Sequence, residues 1–305
     1  MNSNAPDVAV VIPALNAATH LRAALSSLAS QEVSFEAVLV DGGSRDDTVA
    51  IATDAGLRVI SAPGTSIYEA HNRGFAETRA LAVVLLNADD VLLPGALAAW
   101  RDALAREPEA GIARGLATFA EMDRAGATRP IAGADERAAA PLDTDLLLRG
   151  PCAINTLCIR RAVLDRIGAF DTAYRLAADR EWMLRAWIAD IPIVEMGRPV
   201  YRYLMHDGSS TIDRARRNFA VVRRENIAIA ERYLHGAQAR EAKPETVEAV
   251  RRWHAAETTM LASHHLRTGD WRGLVDTTRR AFRAAPLWPL RGAREAAAWL
   301  WKRAA

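Results

Sequence analysis

Asn87, Asp89 and Asp90 stand together in VVLLNADDVLLPG, just past a run of apolar residues. Two adjacent carboxylates at the end of a buried strand are costly unless something neutralises them. A hard divalent cation does so, and Mg²⁺ takes only one or two protein carboxylates plus substrate phosphates. Helix capping ahead of Pro94 is the plainer alternative. Asp41, in VLVDGGSRDDT, is a carboxylate followed by two glycines. It can accept hydrogen bonds from a base or a ribose, or simply bond its own turn backbone. Asp179 opens ADREWMLRAW, with Met183 and Trp187 following at helical spacing. Asp179 is therefore expected on their inward face, where an acid serves as a general base or as an N-cap. Glu181, rotated roughly 200° away, is expected in solvent. His206 sits in a turn after a strand, where it can ligate a metal or a phosphate or lie idle on the surface. The other six histidines show no ligand pattern, and the adjacent pair His264 and His265 cannot share one helix face.

These residues need a scaffold, and the hydrophobic pattern supplies one. VAVVIPALN, FEAVLVDGGS, LRVISAPG and LAVVLLNADD read as strands, each followed by a segment of helical spacing. RDDTVAIATDAG reads as a helix capped by Asp46 or Asp47 and closed by Gly56, and PGALAAWRDALARE as a helix with Pro94 at its start. Strand and helix alternate about every 25 residues, the signature of βαβ units and a parallel sheet. Ligands of open α/β sheets sit beyond the carboxyl ends of the strands. Asn16, Asp41, Asp89 and Asp90 all fall at such ends. Further on, a hairpin is expected around Gly126, then a strand and helix over CAINTLCIRRAVLDRIGAFD. Two strands are expected in IPIVEMGRPVYRYLM, ending at a His-Asp-Gly turn. From Arg214 onward every segment reads as helix, interrupted at Pro244, Gly269, Pro286 and Pro289.

The chain has 305 residues, half of them hydrophobic and a quarter charged, consistent with a globular protein of about two domains. Its net charge of +2 hides a split. Residues 1–213 hold 20 basic and 28 acidic side chains, a net of −8; residues 214–305 hold 19 and 9, a net of +10. Five of the eight tryptophans, Trp253, Trp271, Trp288, Trp299 and Trp301, also fall at this end, and the last stretch mixes them with Arg291, Arg294, Lys302 and Arg303. Such a region suits an anionic membrane surface, or packs on the rest of the protein or in a homodimer. The two cysteines, Cys152 and Cys158, would lie about 20 Å apart on a straight strand, too far to bond. With no signal-peptide pattern and no long apolar run, the expected location is the cytoplasm, either free or peripheral at the inner membrane face.

Several chemistries lack their fingerprints. No G-x-x-x-x-G-K-[ST] phosphate loop occurs, no G-x-G-x-x-G follows the first strand, and no G-x-S-x-G elbow is present. In their order and spacing, VVIPALN, VLVDGGSRDDT, SIYEAHNRG, LNADD, GAFD and ADREWMLR over residues 7–213 resemble the family 2 glycosyltransferases of GT-A fold. The DGGS and IYEAHNRG forms are similar to the branch holding bacterial O-antigen and capsule polysaccharide transferases.

The resemblance implies a GT-A domain over 1–213, with a nucleotide-binding half (1–110) and an acceptor half (111–213), and a helical region over 214–305. It implies inverting transfer of a single sugar from a nucleotide sugar, UDP-linked by preference, with Mg²⁺ or Mn²⁺. The acceptor would be a glycan or a lipid-linked acceptor. Pro13 and Asn16 would line the nucleotide pocket, Asp41 would contact the base, and Asn72 with Gly74 would sit below the ribose and diphosphate. Asp89 would bind the metal with Asp90 in support, Asp179 would be the catalytic base, and His206 would belong to a loop that closes on the diphosphate. Asn87 stands where the family's first metal-motif acid belongs, and His71 stands where an Arg is common. The Q-x-x-R-W motif of processive synthases is absent, since Ala249 precedes Arg252-Trp253 where Gln would stand. A nucleotidyltransferase and a noncatalytic nucleotide-sugar binder are the alternatives. The first usually carries a Gly-rich basic signature that VVIPALNAATHL lacks.

Overall fold

The computed structural model describes residues 6–123, 128–131, 142–149, 154–206, 217–236 and 240–292. The turn around Gly126, Cys152, and the terminal Arg294, Trp299, Trp301, Lys302 and Arg303 lie outside these residues. The chain divides into two compact units, one of residues 1–142 and 150–212 and one of residues 143–149 and 213–305.

The first unit is built on a nine-stranded sheet. Strands β1 (Val8–Ala14), β2 (Phe35–Asp41), β3 (Arg58–Ser61) and β4 (Ala82–Leu85) run parallel in the order β3-β2-β1-β4. All of β1 and β4 is buried, as expected for parallel strands covered on both faces. β1 runs through Pro13, which pairs with Val40 one residue from the strand's end. The helices between these strands are α1 (Ala18–Ala29), α2 (Thr48–Asp54) and α3 (Ile67–Glu77). Leu21, Ala24, Leu25 and Leu28 form the buried stripe of α1. Asp47 is the N-cap residue of α2 but its side chain makes no capping bond, while Asp46 Oδ1 accepts from Thr48 N at 3.1 Å. Ser66 and Glu69 form a reciprocal capping box at the start of α3. Gly74 lets α3 lie flat on β1, because a Cβ there would stand 2.2 Å from Val11 Cγ1.

The far half of the sheet is mixed. β8 (Leu157–Arg160) joins β4 antiparallel and leads to β6 (Ile112–Met122), β9 (Ile193–Met205) and β5 (Val91–Leu92), with β7 (Thr128–Pro130) beside β6. IPIVEMGRPVYRYLM forms the single strand β9, not two. Gly197 (φ 63°) and Pro199 read as a break in sequence, yet the strand takes them as a register shift against β6 and continues. Helix α4 (Ala96–Arg106) starts one residue past Gly95, which is left-handed (φ 69°), so Pro94 precedes the helix. Two more helices complete the unit, α6 (Arg161–Ile167) and α7 (Ala178–Ile188). This mainly parallel sheet flanked by helices is the α/β architecture expected from the sequence.

The second unit is helical among its described residues: α5 (Thr144–Arg149), α8 (Phe219–His235), α9 (Pro244–Thr268) and α10 (Trp271–Ala284). Pro244 occupies the first turn of α9, and left-handed Gly269 ends it. Trp253, Tyr233, Ile229 and Ala230 are buried, and Trp253 Nε1 donates to Glu257, which also takes Arg223 at 2.7 Å. No described helix is long and apolar enough to cross a membrane.

Candidate active site

The order β3-β2-β1-β4 puts the reversal of winding between β1 and β4, so their carboxyl ends diverge and leave a crevice. A cleft of about 340 Å³ occupies this place. Pro13, Asn16 and His20 line it from the first strand and its following helix. Asn87, Ala88 and Asp89 line it beyond β4, Thr65, Ser66 and Ile67 at the start of α3, and His206 at the end of β9.

Asn16 is left-handed (φ 51°), a conformation rare outside glycine, which Asn tolerates better than most residues. Two bonds hold it there. Its N–H donates to Ser44 Oγ and its Oδ1 accepts from Arg45 N, both at 2.9 Å. The loops after β1 and β2 are thereby clasped. Asp41 is buried beneath this clasp and accepts from the N–H groups of Gly43 and Ser44 at 3.1 Å. Its carboxylate stabilises the turn, and it does not line the cleft.

The two acids after β4 face opposite ways. Asp90 is buried and fully engaged, accepting from Asn87 Nδ2 (2.9 Å), Tyr201 Oη (2.8 Å) and Leu204 N (2.8 Å). Burial first, and then the charge of Asp89, push its carboxyl up to about 7. Tyr201, fully buried, also accepts from Asn87 N and Asn155 Nδ2 at 3.1 Å. This network ties the loop after β4 to β9, and Asp90 is its anchor. Asp89 points the other way, into the cleft, where its Oδ2 lies 3.2 Å from His206 Nε2. His20 packs against His206 with ring centroids 4.2 Å apart and the rings tilted by 31°. Burial and then the His206 ring hold His20 below the usual histidine range, opposed by Asp89. The sequence pattern does not single out His20, because α1 and β9 are brought together only by the sheet.

Neither Asn72 nor Asp179 lines the cleft, and Asn72 braces its surroundings. Asn72 Nδ2 donates to Phe170 O at 2.8 Å and its Oδ1 accepts from Phe170 N at 3.0 Å, fixing α3 to the segment that leads into α7. Tyr68 Oη donates to Leu176 O in the same region, and His71 packs within the aromatic group of Tyr68, Phe75 and Phe170. Asp179 lies in the first turn of α7, where the cap residue is Ala177, so it is not the N-cap. Its Oδ1 accepts from Arg180 N at 2.9 Å. Glu181 is fully buried, contrary to its expected exposure, and Arg185 neutralises it at 2.7 Å. α7 is buried around most of its circumference, so an acid's face cannot be assigned from helical spacing alone.

The residues present fit a divalent cation that draws most of its ligands from a bound phosphate. One carboxylate and one imidazole converge in the cleft, and no group of three or more His, Cys, Asp or Glu able to hold a metal occurs among the described residues. Asp90 is not available to such an ion, since both its oxygens are engaged.

The parallel half-sheet, its mixed extension and a cleft at the strand reversal are the GT-A architecture, a fold shared with solved structures. TarS of S. aureus superposes with a TM-score of 0.66 at 16% identity over 95% of this chain and 53% of that one. TarS 1–349 in complex with UDP-GlcNAc gives 0.56 at 16% identity over 91% of each chain. The mannosyltransferase PcManGT from Pyrobaculum calidifontis, in complex with GDP-Man and Mn²⁺, gives 0.53 at 16% identity over 96% and 85%. Residues 9–162 match the family model described as glycosyl transferase family 2, and the chain belongs to that family. A PGL/p-HBAD biosynthesis glycosyltransferase of Mycobacterium bovis (strain BCG / Pasteur 1173P2) is 32% identical over 192 residues, covering 60% of this chain and 70% of the relative.

Proposed function

We propose that this glycosyltransferase moves a single sugar from a UDP-linked donor to a hydroxyl of a glycan or lipid-linked acceptor, with inversion, in the synthesis of a surface glycan. The observation that carries the reading is the meeting of Asp89 and His206 in a cleft at the ends of β1 and β4. Mg²⁺ or Mn²⁺ held by these two side chains would offset charge on the departing diphosphate. An imidazole beside a carboxylate favours Mn²⁺ over Mg²⁺. Pro13, Asn16 and Asn87 line the space for the nucleotide. Asp41, Asn72 and Asp90 hold the loops that form it, so their part in donor binding is indirect.

The chain's own chemistry is a proton transfer and one displacement. Asp179 accepts the proton of the acceptor hydroxyl while that oxygen attacks the sugar C1. The bond from C1 to the phosphate oxygen breaks, the nucleoside diphosphate leaves with its electron pair, and the configuration at C1 inverts. No covalent enzyme intermediate is required. The UDP-GlcNAc complex of TarS and the GDP-Man and Mn²⁺ complex of PcManGT support a nucleotide-sugar donor with a metal, and the mycobacterial relative's name, a PGL/p-HBAD biosynthesis glycosyltransferase, supports a biosynthetic role. The test is turnover of a panel of nucleotide sugars with and without Mn²⁺. Metal-dependent release of UDP, lost in Asp89→Ala, is expected. Binding without turnover of any donor would favour the noncatalytic reading.

A further inference from the structure

Helix α10 carries two parallel rows on its outward face. Trp271, Val275 and Phe282 are 64%, 50% and 51% exposed and fall within about 40° of one another on a helix of 3.6 residues per turn. Arg272, Arg279 and Arg283 fill the adjoining sector and are exposed, with a single acid, Asp276, at its far edge. The opposite face is anchored by buried Ala281, and Arg280 takes Glu231 of α8. This packing leaves the row of Trp271, Val275 and Phe282 outward, while Arg279 and Arg283 stand at the rim of a groove shared with Glu231 and His235 of α8. Beyond the helix, Leu287 and Leu290 are also exposed, at 59% and 67%.

Single exposed apolar residues are ordinary, but a row with two aromatics calls for a partner. Among the described residues, Arg272, Arg279 and Arg283 form no ion pair. The charge split of the chain confines its positive excess to residues 214–305. An aromatic row beside an arginine row suits the boundary between headgroups and acyl chains of an anionic bilayer. A second copy of the same face fits less well, since a two-fold contact would set arginine rows close to each other. We propose that the outward face of α10 docks on an anionic membrane surface. Trp271, Val275 and Phe282 enter the headgroup boundary, and Arg272, Arg279 and Arg283 meet the lipid phosphates.

The test is sedimentation of the full chain with vesicles of phosphatidylcholine alone and of phosphatidylcholine with phosphatidylglycerol in equal amounts. Binding to the anionic vesicles only, weakened by salt, is expected. Arg272→Glu with Arg279→Glu and Arg283→Glu should lower partitioning by roughly a hundredfold. Trp271→Ser with Phe282→Ser should weaken it while leaving donor turnover unchanged. Brominated acyl chains should quench the wild-type tryptophan fluorescence and quench Trp271→Phe less, a reading that does not depend on how the multiple variants fold. Equal or negligible pelleting with both vesicles would overturn the proposal, as would anionic binding that neither variant lowers. Self-association lost in Trp271→Ser, without vesicle binding, would assign the face to a second copy instead.

Discussion

Asp89 Oδ2 and His206 Nε2 stand 3.2 Å apart, although one follows β4 and the other ends β9. The neighbour of Asp89 makes this meeting stable. Asp90 holds Leu204 N and Tyr201 Oη, both in β9, and so sets the strand that carries His206 against the loop that carries Asp89. The two acids divide the work, one structural and one facing the ligand. Asp89→Ala should therefore leave the melting transition nearly unchanged while reducing Mn²⁺-dependent UDP affinity by at least about tenfold. Calorimetry with and without the metal makes the comparison, and unchanged metal dependence would remove Asp89 from the site.

Tyr201→Phe should behave in the opposite way. Removing the hydroxyl leaves Asn87 N without a buried partner and takes one bond each from Asn155 and Asp90, at a cost of about 1–3 kcal/mol in chemical denaturation. A loss well below that range would mean that the network around Asp90 relaxes around the vacancy.

Gly74→Ala should destabilise by about 1–3 kcal/mol, because the new methyl meets Val11. Val11→Ala in the same chain should recover part of the loss, a coupling that a double-mutant cycle reads directly. Simple addition of the two losses would show that α3 and β1 move apart instead.

Much of this was legible in the residues. The all-buried β1 and β4 stand out as short apolar runs, and the acids and Asn16 at their ends mark the cleft because parallel sheets bind ligands there. What escaped depends on tertiary placement. His20 has no local motif, and only the sheet carries α1 to His206. Glu181 looks solvent-facing by spacing, yet α7 is enclosed and Arg185 pairs with the acid. Gly197 and Pro199 look like a turn, but β6 offers a partner on which the strand can shift register. Which of two adjacent aspartates faces the ligand cannot be read from their adjacency; β9 decides it by engaging Asp90.

Cys158 gives a pH prediction. Complete burial pushes its thiol up to about 12 from the ordinary 9.0. The folded state thus holds this proton more tightly than the unfolded chain does. Its contribution to stability is intact below about 9 and declines as pH rises towards 12. Cys158→Ala should flatten the alkaline fall of stability between those values. At pH 8 the native thiol should alkylate only as fast as the protein unfolds, which peptide mass spectrometry can follow. Rapid alkylation under native conditions would contradict its burial.

Asp179→Asn keeps the side chain's shape and loses its basicity. Donor affinity should hold while transfer falls by about 10²–10⁴-fold. Near-normal transfer would move the base elsewhere, with Glu181 unsuited because it is enclosed and paired with Arg185.

Metal-dependent, inverting sugar transfer is read directly from the anomeric configuration of the first product. With an α-linked UDP-sugar, Mn²⁺ and wild-type protein, proton NMR at early times should show the β configuration at C1, whether the acceptor is a glycan hydroxyl or water. The signal should vanish in Asp179→Asn and in Asp89→Ala. An α product, or turnover indifferent to both the metal and Asp89, would rule out inverting transfer assisted by a metal at Asp89.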